Sequence, residues 1–531
     1  MPVERHLPLA LIGLLAGLGG TARAEAPLSA IDWLSQSVSQ SAPASGSGNG
    51  SVTLPAPADE PAVSAQGALP EAVAVSVIGG PSADAAGLLP PETTGFPHNL
   101  WGLGKLSEVT EAIAGARAEG LPELQKLLVT LLIAQASPPA DAGGDGKLLI
   151  ARVDKLLELG ALEQAEALLA EAGPAVNAEV FRRSFDVALL TGGEDIACDV
   201  LGGAPELAPT LTTRVFCLAR SGDWNAAALT LRTAQALGHV SGVEDALLSR
   251  FLDPDLYEGE EVPDPPKPVT PLIWRIYEAI GEPLSTTTLP LAFAHAELSE
   301  RAGWKAQLEA AERLARAGVI TANQLLGLYT QRQPAASGGV WDRVDAFQRF
   351  DAALTKGEVG AVEQRLPLAF ARMADVEAEV PFSELFAVSL ARLPLTGDAA
   401  RIAWDMGLLS ADSRRLAASP LSPGDTRAKF LIGLAGGTVA GLAAPDSMAR
   451  AIAPAFQTPP DTAPAPPEAG ATLIAQGRIG EALLLAIRLI ETGLQGELVK
   501  VSEGLSLLRA LGLEDAARRT ALDMMILERR G

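Results

Sequence analysis

Histidine and cysteine are scarce: the 531 residues hold four His and two Cys. Beyond the N-terminal 24 residues only His98, His239 and His295 remain, far apart and without ligand spacing. A zinc or catalytic metal site needs such ligands clustered, so no metal is expected. His239 at a helix end and His295 inside a helix read as structural. G-x-S-x-G, H-E-x-x-H and C-x-x-C are all missing, and with them the common hydrolase, metalloprotease and thiol-redox signatures. Gly104-Lys105 and Gly146-Lys147 lack the earlier glycine and the following Ser/Thr of a phosphate-binding loop. Asp253, Asp255, Glu258, Glu260 and Glu261 match no EF-hand spacing and read as a solvated acidic turn. No catalytic residue and no cofactor is therefore expected.

Positive charge is also short. Lys and Arg number 41 against 64 Asp and Glu, a net charge of −23, which argues against nucleic-acid or anionic-membrane partners. Aromatics make up 4% of the chain, too few for one large β core. The apolar stretch Phe430 to Pro445 is short and glycine-rich, so it reads as buried helix rather than membrane span.

What the chain does have is alanine, leucine and a helical period. In Leu148 to Gly173, Leu149, Val153, Leu156 and Leu157 mark one helix face, with Lys155 and Glu158 on the other side. Gly160 ends that helix. Leu162, Ala165, Leu168, Leu169 and Ala172 then form a matching stripe, stopped by Gly173-Pro174. Such a hairpin is marginal alone and needs neighbours. Its signature, glycine and then alanine five residues later, recurs as Gly160/Ala165, Gly192/Ala197, Gly222/Ala227, Gly477/Ala482 and Gly512/Ala517, with degenerate versions around Gly303 and Gly357. Glycine turns the chain and alanine lets paired helices approach. Repeats of this period imply an all-α solenoid of stacked hairpins. The pattern resembles the tetratricopeptide (TPR) repeat, most closely at GDWNAA, Gly222 to Ala227, although the helix-A aromatics of that repeat are mostly absent.

The N-terminus reads as a secretory signal: Arg5, the apolar run Leu7 to Gly20, then Ala22-Arg23-Ala24 as cleavage site. The expected organisation is a signal peptide over 1–24 and a low-complexity, mostly disordered segment over 25–102 with short apolar motifs. Those motifs are Ile31, Trp33 and Leu34, an alternating Val73, Val75, Val77, and the cluster Phe96, Leu100 and Trp101, read either as a tethered peptide that docks or as a cap on the first repeat. TPR-like repeats follow over 103–252, with a Ser241/Glu244 capping box before the last helix. A Pro-rich acidic linker spans 253–271, irregular helical repeats 272–457, a second Pro-rich linker 458–468 and C-terminal repeats 469–531.

Cys198 and Cys217 fall in consecutive helices. In an oxidising compartment they are a disulfide candidate worth about 3 kcal/mol by loop closure, the alternative being two buried free thiols. Superhelices of this kind also occur in lytic transglycosylases, but no segment here has room for their lysozyme-like catalytic domain. Through AIDWLSQS (Ala30 to Ser37) and FLDPDLYEGE (Phe251 to Glu260) the whole chain resembles a family of uncharacterised alphaproteobacterial secreted proteins. Some relatives carry the label "antifreeze glycopeptide". The Ala-Ala-Thr repeats behind that label are absent here, so it is set aside, and the resemblance implies no activity.

The expectation is a non-catalytic periplasmic helical-repeat scaffold that binds cell-envelope proteins or peptides, with no nucleic-acid partner and no membrane anchor after cleavage. Two alternatives stay open: a secreted enzyme of unrecognised type acting on envelope material, and a structural secreted protein without a dedicated partner. N-terminal sequencing of protein from the periplasmic fraction is expected to start at Glu25. A cytoplasmic chain starting at Met1 overturns the export reading.

Overall fold

A computed structural model describes residues 82–527, except residues 119, 174, 175 and 463. The expected signal peptide, its cleavage after Ala24, the low-complexity run from Ser35 to Pro70 and the Val73/Val75/Val77 alternation lie outside the described residues. Within them the fold is all-helical. The helices of eight residues or more are α1 Leu106–Gly115, α2 Pro122–Ile133, α3 Lys147–Glu158, α4 Leu162–Ala172, α5 Ala178–Thr191, α6 Glu194–Gly203, α7 Leu211–Arg220, α8 Trp224–Leu237, α9 Gly242–Leu252 and α10 Pro271–Ala279. After a 3₁₀ stretch, Leu291–Leu298, come α11 Trp304–Arg316, α12 Ala322–Thr330, α13 Val340–Thr355, α14 Val359–Ala374, α15 Glu379–Leu390, α16 Gly397–Leu409 and α17 Thr426–Gly436. The series closes with α18 Glu468–Ala475, α19 Ile479–Leu494, α20 Val499–Ala510 and α21 Glu514–Ile526. Extended pairing among the described residues amounts to one isolated bridge, Leu89 with Ala134.

Local chemistry explains the helix starts. Asn177, Thr210, Asp223, Thr270 and Asp425 each accept a backbone N–H from the first turn that follows, which satisfies an orphan donor. Ser241 and Glu244 form the reciprocal capping box that their spacing predicts. Successive helices then pair as antiparallel neighbours, among them α3 with α4, α5 with α6, α7 with α8, α13 with α14 and α19 with α20. Gly160, Gly192, Gly222, Gly477 and Gly512 all sit in such turns with φ between 69° and 87°, a region open to glycine at little cost. Ala165, Ala197, Ala227, Ala482 and Ala517 are all buried.

The packing is not a linear stack in which each hairpin meets only its neighbours. α21 packs on α2, and α19 packs on both α1 and α2, so the two ends of the described chain share one core. The apolar cluster before α1 carries much of this closure. Leu100 and Trp101 are buried. Leu100 O accepts the Gly480 N–H at 2.8 Å, and a Cβ on Gly480 would lie 2.5 Å from the Trp101 ring. Residues 82–102 therefore do not belong with the low-complexity segment: they are built into the fold, Asp84 on α3, Leu88 on α2 and Leu100 to Gly102 on the start of α19.

The expected proline-rich linkers are likewise not tethers. Over 253–271, Arg250 donates to Glu261 O at 2.5 Å, Tyr277 Oη donates to Pro263 O at 2.5 Å, and Val262 and Val269 pack on a core. At 458–468, Arg509 donates to the Thr458 and Pro459 carbonyls at 3.3 and 3.0 Å. Proline keeps both stretches from running on as α-helix, leaving only the 3₁₀ turn Pro254–Tyr257 and the starts of α10 and α18, and their carbonyls stay free to accept.

Those arginines follow a wider rule. Helix C-termini leave carbonyls without partners, and here buried cations on neighbouring helices supply the donors. Arg152 on α3 reaches Leu132 O at 2.6 Å and Ala134 O at 3.0 Å at the end of α2, and Ala86 O at 2.7 Å. Lys155, expected on the solvent side, is buried, because its ammonium donates to Ala114 O and Ala116 O at the end of α1, at 2.8 and 3.0 Å, and to Glu158 at 2.7 Å. Arg275 caps Leu189 O near the end of α5, and Arg518 caps Ala435 O near the end of α17.

Arg152→Met leaves three carbonyls and the buried Asp84 carboxylate beside it without their cation. It is expected to lower stability by roughly 3–5 kcal/mol in denaturant titration. Arg182→Met, at an exposed arginine, should shift it by no more than about 0.5 kcal/mol. Equal effects would overturn the capping account.

Candidate interaction surface

Several places among the described residues bring polar chemistry together, the buried Glu312 with Tyr329 and Arg343 among them. Ser137 Oγ lies 3.0 Å from His98 Nδ1, but the pair is exposed and His98 has no carboxylate partner there. A groove of about 380 Å³ between α1 and α3 is lined by Thr110, Ala114, Ile150, Ala151, Asp154 and Lys155 among others. Of its two lysines, Lys155 already spends its three protons on two carbonyls and Glu158, and Lys147 pairs with Asp145 at 3.5 Å. A cleft of about 120 Å³ between α2, α15 and α21 holds Glu123, Lys126, Glu384, Arg519 and Asp523. Burial pushes the Glu123 and Glu384 carboxyls up, against the pull of Lys126 and Arg519. The Asp523 carboxylate accepts the Glu123 N–H at 3.1 Å at the start of α2. Ligand pockets run to about 300–1,000 Å³, so this cleft has room for a few waters only.

The surface that stands out lies on a lobe made by α5 to α10. The lobe has its own core, from Phe181 and Phe185 through Val215, Phe216, Leu231 and Leu248 to Ile276 and Tyr277. α5 is the shared wall: Val180 and Val187 face the main core, whereas Phe181, Phe185 and Leu189 face the lobe. Cys198 on α6 and Cys217 on α7 are joined by a disulfide, with Cα atoms 5.1 Å apart. Beside it, the buried Glu194 carboxylate stands 3.6 Å from Arg220 and 3.9 Å from Arg275.

Aromatic rings run through the lobe to its surface. Phe181 and Phe185 lie 6.0 Å apart, Phe185 and Phe216 6.3 Å, Phe216 and Phe251 5.6 Å, and Phe251 and Trp224 6.2 Å. Such offset and edge contacts add to the area they bury. The last ring, Trp224, is 50% exposed. Around it α8 buries only Ala227, Leu231 and Ala234, because among the described residues it packs mainly on α7 and α9. Leu229 and Leu237 stand on α8, Ile196 on α6, Val243 on α9 and Leu256 just beyond. With Trp224 they are six of the twelve large apolar side chains exposed among the described residues. Half of the large apolar side chains exposed among the described residues thus belong to one lobe.

The sequence signature meets this lobe twice. Gly192 and Ala197 bracket Ile196 at the start of α6, Gly222 and Ala227 bracket Trp224 at the start of α8, and both alanines belong to the lobe core. The other three glycine–alanine pairs lie at turns outside the lobe and are not gathered into a site. The aromatic row is a feature that the periodicity reading missed. Phe181 and Phe185 at i and i+4 were its only local signal, since Phe216, Trp224 and Phe251 come from three further helices. Comparison with protein-family models, curated proteins and solved structures found no match.

Ala227 has no exposed surface, and Ala226 is partly exposed. Ala227→Phe should therefore cost roughly 1–3 kcal/mol by overpacking, with a clearly lower melting temperature, and Ala226→Phe less. Hydrogen exchange should quicken over 210–240 and change little beyond Gly470, since the lobe core holds no residue from that end. Uniform loosening of the whole chain would contradict two cores.

Proposed function

We propose that the chain is a non-catalytic helical-repeat scaffold of the periplasm. In this reading it is exported by a cleaved signal, its hairpins are TPR-like, and it binds cell-envelope proteins or peptides through the lobe. The observation that carries the reading is the gathering of Ile196, Trp224, Leu229, Leu237, Val243 and Leu256 on that lobe. Exposed apolar side chains grouped in this way stabilise a complex by leaving water, and tryptophan is the residue type most enriched at binding hot spots. The Cys198–Cys217 disulfide is compatible with an oxidising compartment. The acidic surface disfavours nucleic acid and anionic lipid as partners.

Site-specific photo-crosslinking in the periplasm of the native host tests this. A photoreactive residue at Leu229 or Leu237 is expected to give discrete adducts of the same partner, and one at Leu368, exposed on α14, none. Adducts from Leu368 but not from the lobe positions, or none from any position, would overturn the reading.

A further inference from the structure

Trp224 does not stand alone at its end of the lobe. Its ring lies 6.2 Å from that of Phe251, the last residue but one of α9. The chain then enters the strap 253–271, whose first turn, Pro254–Tyr257, packs back on α9. Leu256 on that turn is 68% exposed. Tyr257 is held under the Arg250 guanidinium, 5.1 Å from its centre, and Arg250 is fixed in turn by Glu261 O and by Glu260 at 3.5 Å. An open tryptophan against Phe251, and an open leucine on the turn that packs back on α9, thus mark the end of that helix.

The strap makes that end acidic. Asp253, Asp255, Glu258, Glu261 and Asp264 are all exposed, and none of the five side chains has a cation partner among the described residues. Arg250 is buried and already committed to the strap, and Lys267, exposed on the strap itself, forms no ion pair with any of the five. No Lys or Arg among the described residues stacks on Trp224, so its face is free for one.

We propose that this corner, Trp224, Phe251 and Leu256 with the five unpaired carboxylates, docks a basic amphipathic peptide segment. The proposal rests on the lobe being the binding face, and it adds the partner's chemistry. The apolar side of such a segment covers Trp224 and Leu256. Its Lys or Arg side chains meet the carboxylates and the open indole face. An acidic segment of the same apolar content is repelled by five like charges, so charge sets the choice of partner and its association rate, and the apolar contacts set its lifetime.

The test uses calorimetry on the full mature chain with three synthetic peptides. One is an amphipathic Leu/Lys helix, the second has Glu in place of Lys, and the third has Lys but Ser in place of Leu. The Leu/Lys peptide alone is expected to bind, and more weakly by about tenfold as salt rises from low to near 0.5 M. Trp224→Ala should weaken it on the order of tenfold or more. Changing the five strap carboxylates to amides should remove both the salt dependence and the preference for Lys over Glu. Equal binding of the Glu peptide overturns the proposal. So does binding of the Leu/Lys peptide that neither variant alters, which is attraction to the net-acidic chain at large. Binding to anionic phospholipid vesicles that Trp224→Ala abolishes would assign the corner to a membrane and overturn it too. Photo-crosslinking of the amide variant separates the two readings. Unchanged adducts at Leu229 leave the lobe as a binding face and remove the basic partner, whereas absent adducts in both chains remove the binding face itself.

Discussion

The fold depends on buried cations that close the ends of helices. The 21 helices of eight residues or more among the described residues have many C-terminal carbonyls to satisfy. Arg152, Lys155, Arg275, Arg509 and Arg518 meet that need from the side, each reaching carbonyls at or just past the end of another helix or helical turn. A cation there also suits the negative end of the helix dipole. The arrangement has a cost, visible at Arg152, where burial pulls the guanidinium down to about 10. That is still far above neutrality, so the side chain stays charged and its donors stay in place.

This explains which parts of the architecture were readable in the sequence. Turns were readable because glycine and alanine act locally: a left-handed turn needs the one, and a close helix crossing admits the other. Gly160 with Ala165 and Gly222 with Ala227 announce their hairpins without knowledge of any partner. Lys155 was misassigned to the solvent side because a helical wheel counts it as polar. Its place is decided by the carbonyls of Ala114 and Ala116, some forty residues away. Arg152 and Arg509 are hidden for the same reason. The closure of α19 and α21 on α1 and α2 is also non-local: Trp101 and Gly480 are unremarkable until they are adjacent, and a period of about thirty residues predicts neighbours rather than a return.

The candidate surface was partly readable in the same sense. GDWNAA located the Trp224 turn through its resemblance to a known repeat, and FLDPDLYEGE was visible as an acidic, proline-bearing break. What periodicity could not supply was their contact. Phe251 brings the two together, and it lies on a third helix, α9, with one face on Phe216 and the other on Trp224. The strap's acids read as a solvated turn, and they are solvated. Leu256 stands exposed among them in the chain, and Phe251, just before them, lies against Trp224.

The two cores also divide the work of stability. The main core gathers helices from both ends of the described chain, so opening it requires many elements to part at once. The lobe has a smaller core and one outer helix, α8, that buries only three side chains fully. An element with so few buried contacts sits at the low end of local stability. The disulfide ties α6 to α7, the helix on which α8 rests, and so limits how far the lobe can open without adding apolar area. A surface that must leave Leu229, Leu237 and Trp224 in water for a partner gives up the burial that would otherwise hold it. A covalent brace beneath it is a physical way to keep both the exposure and the shape.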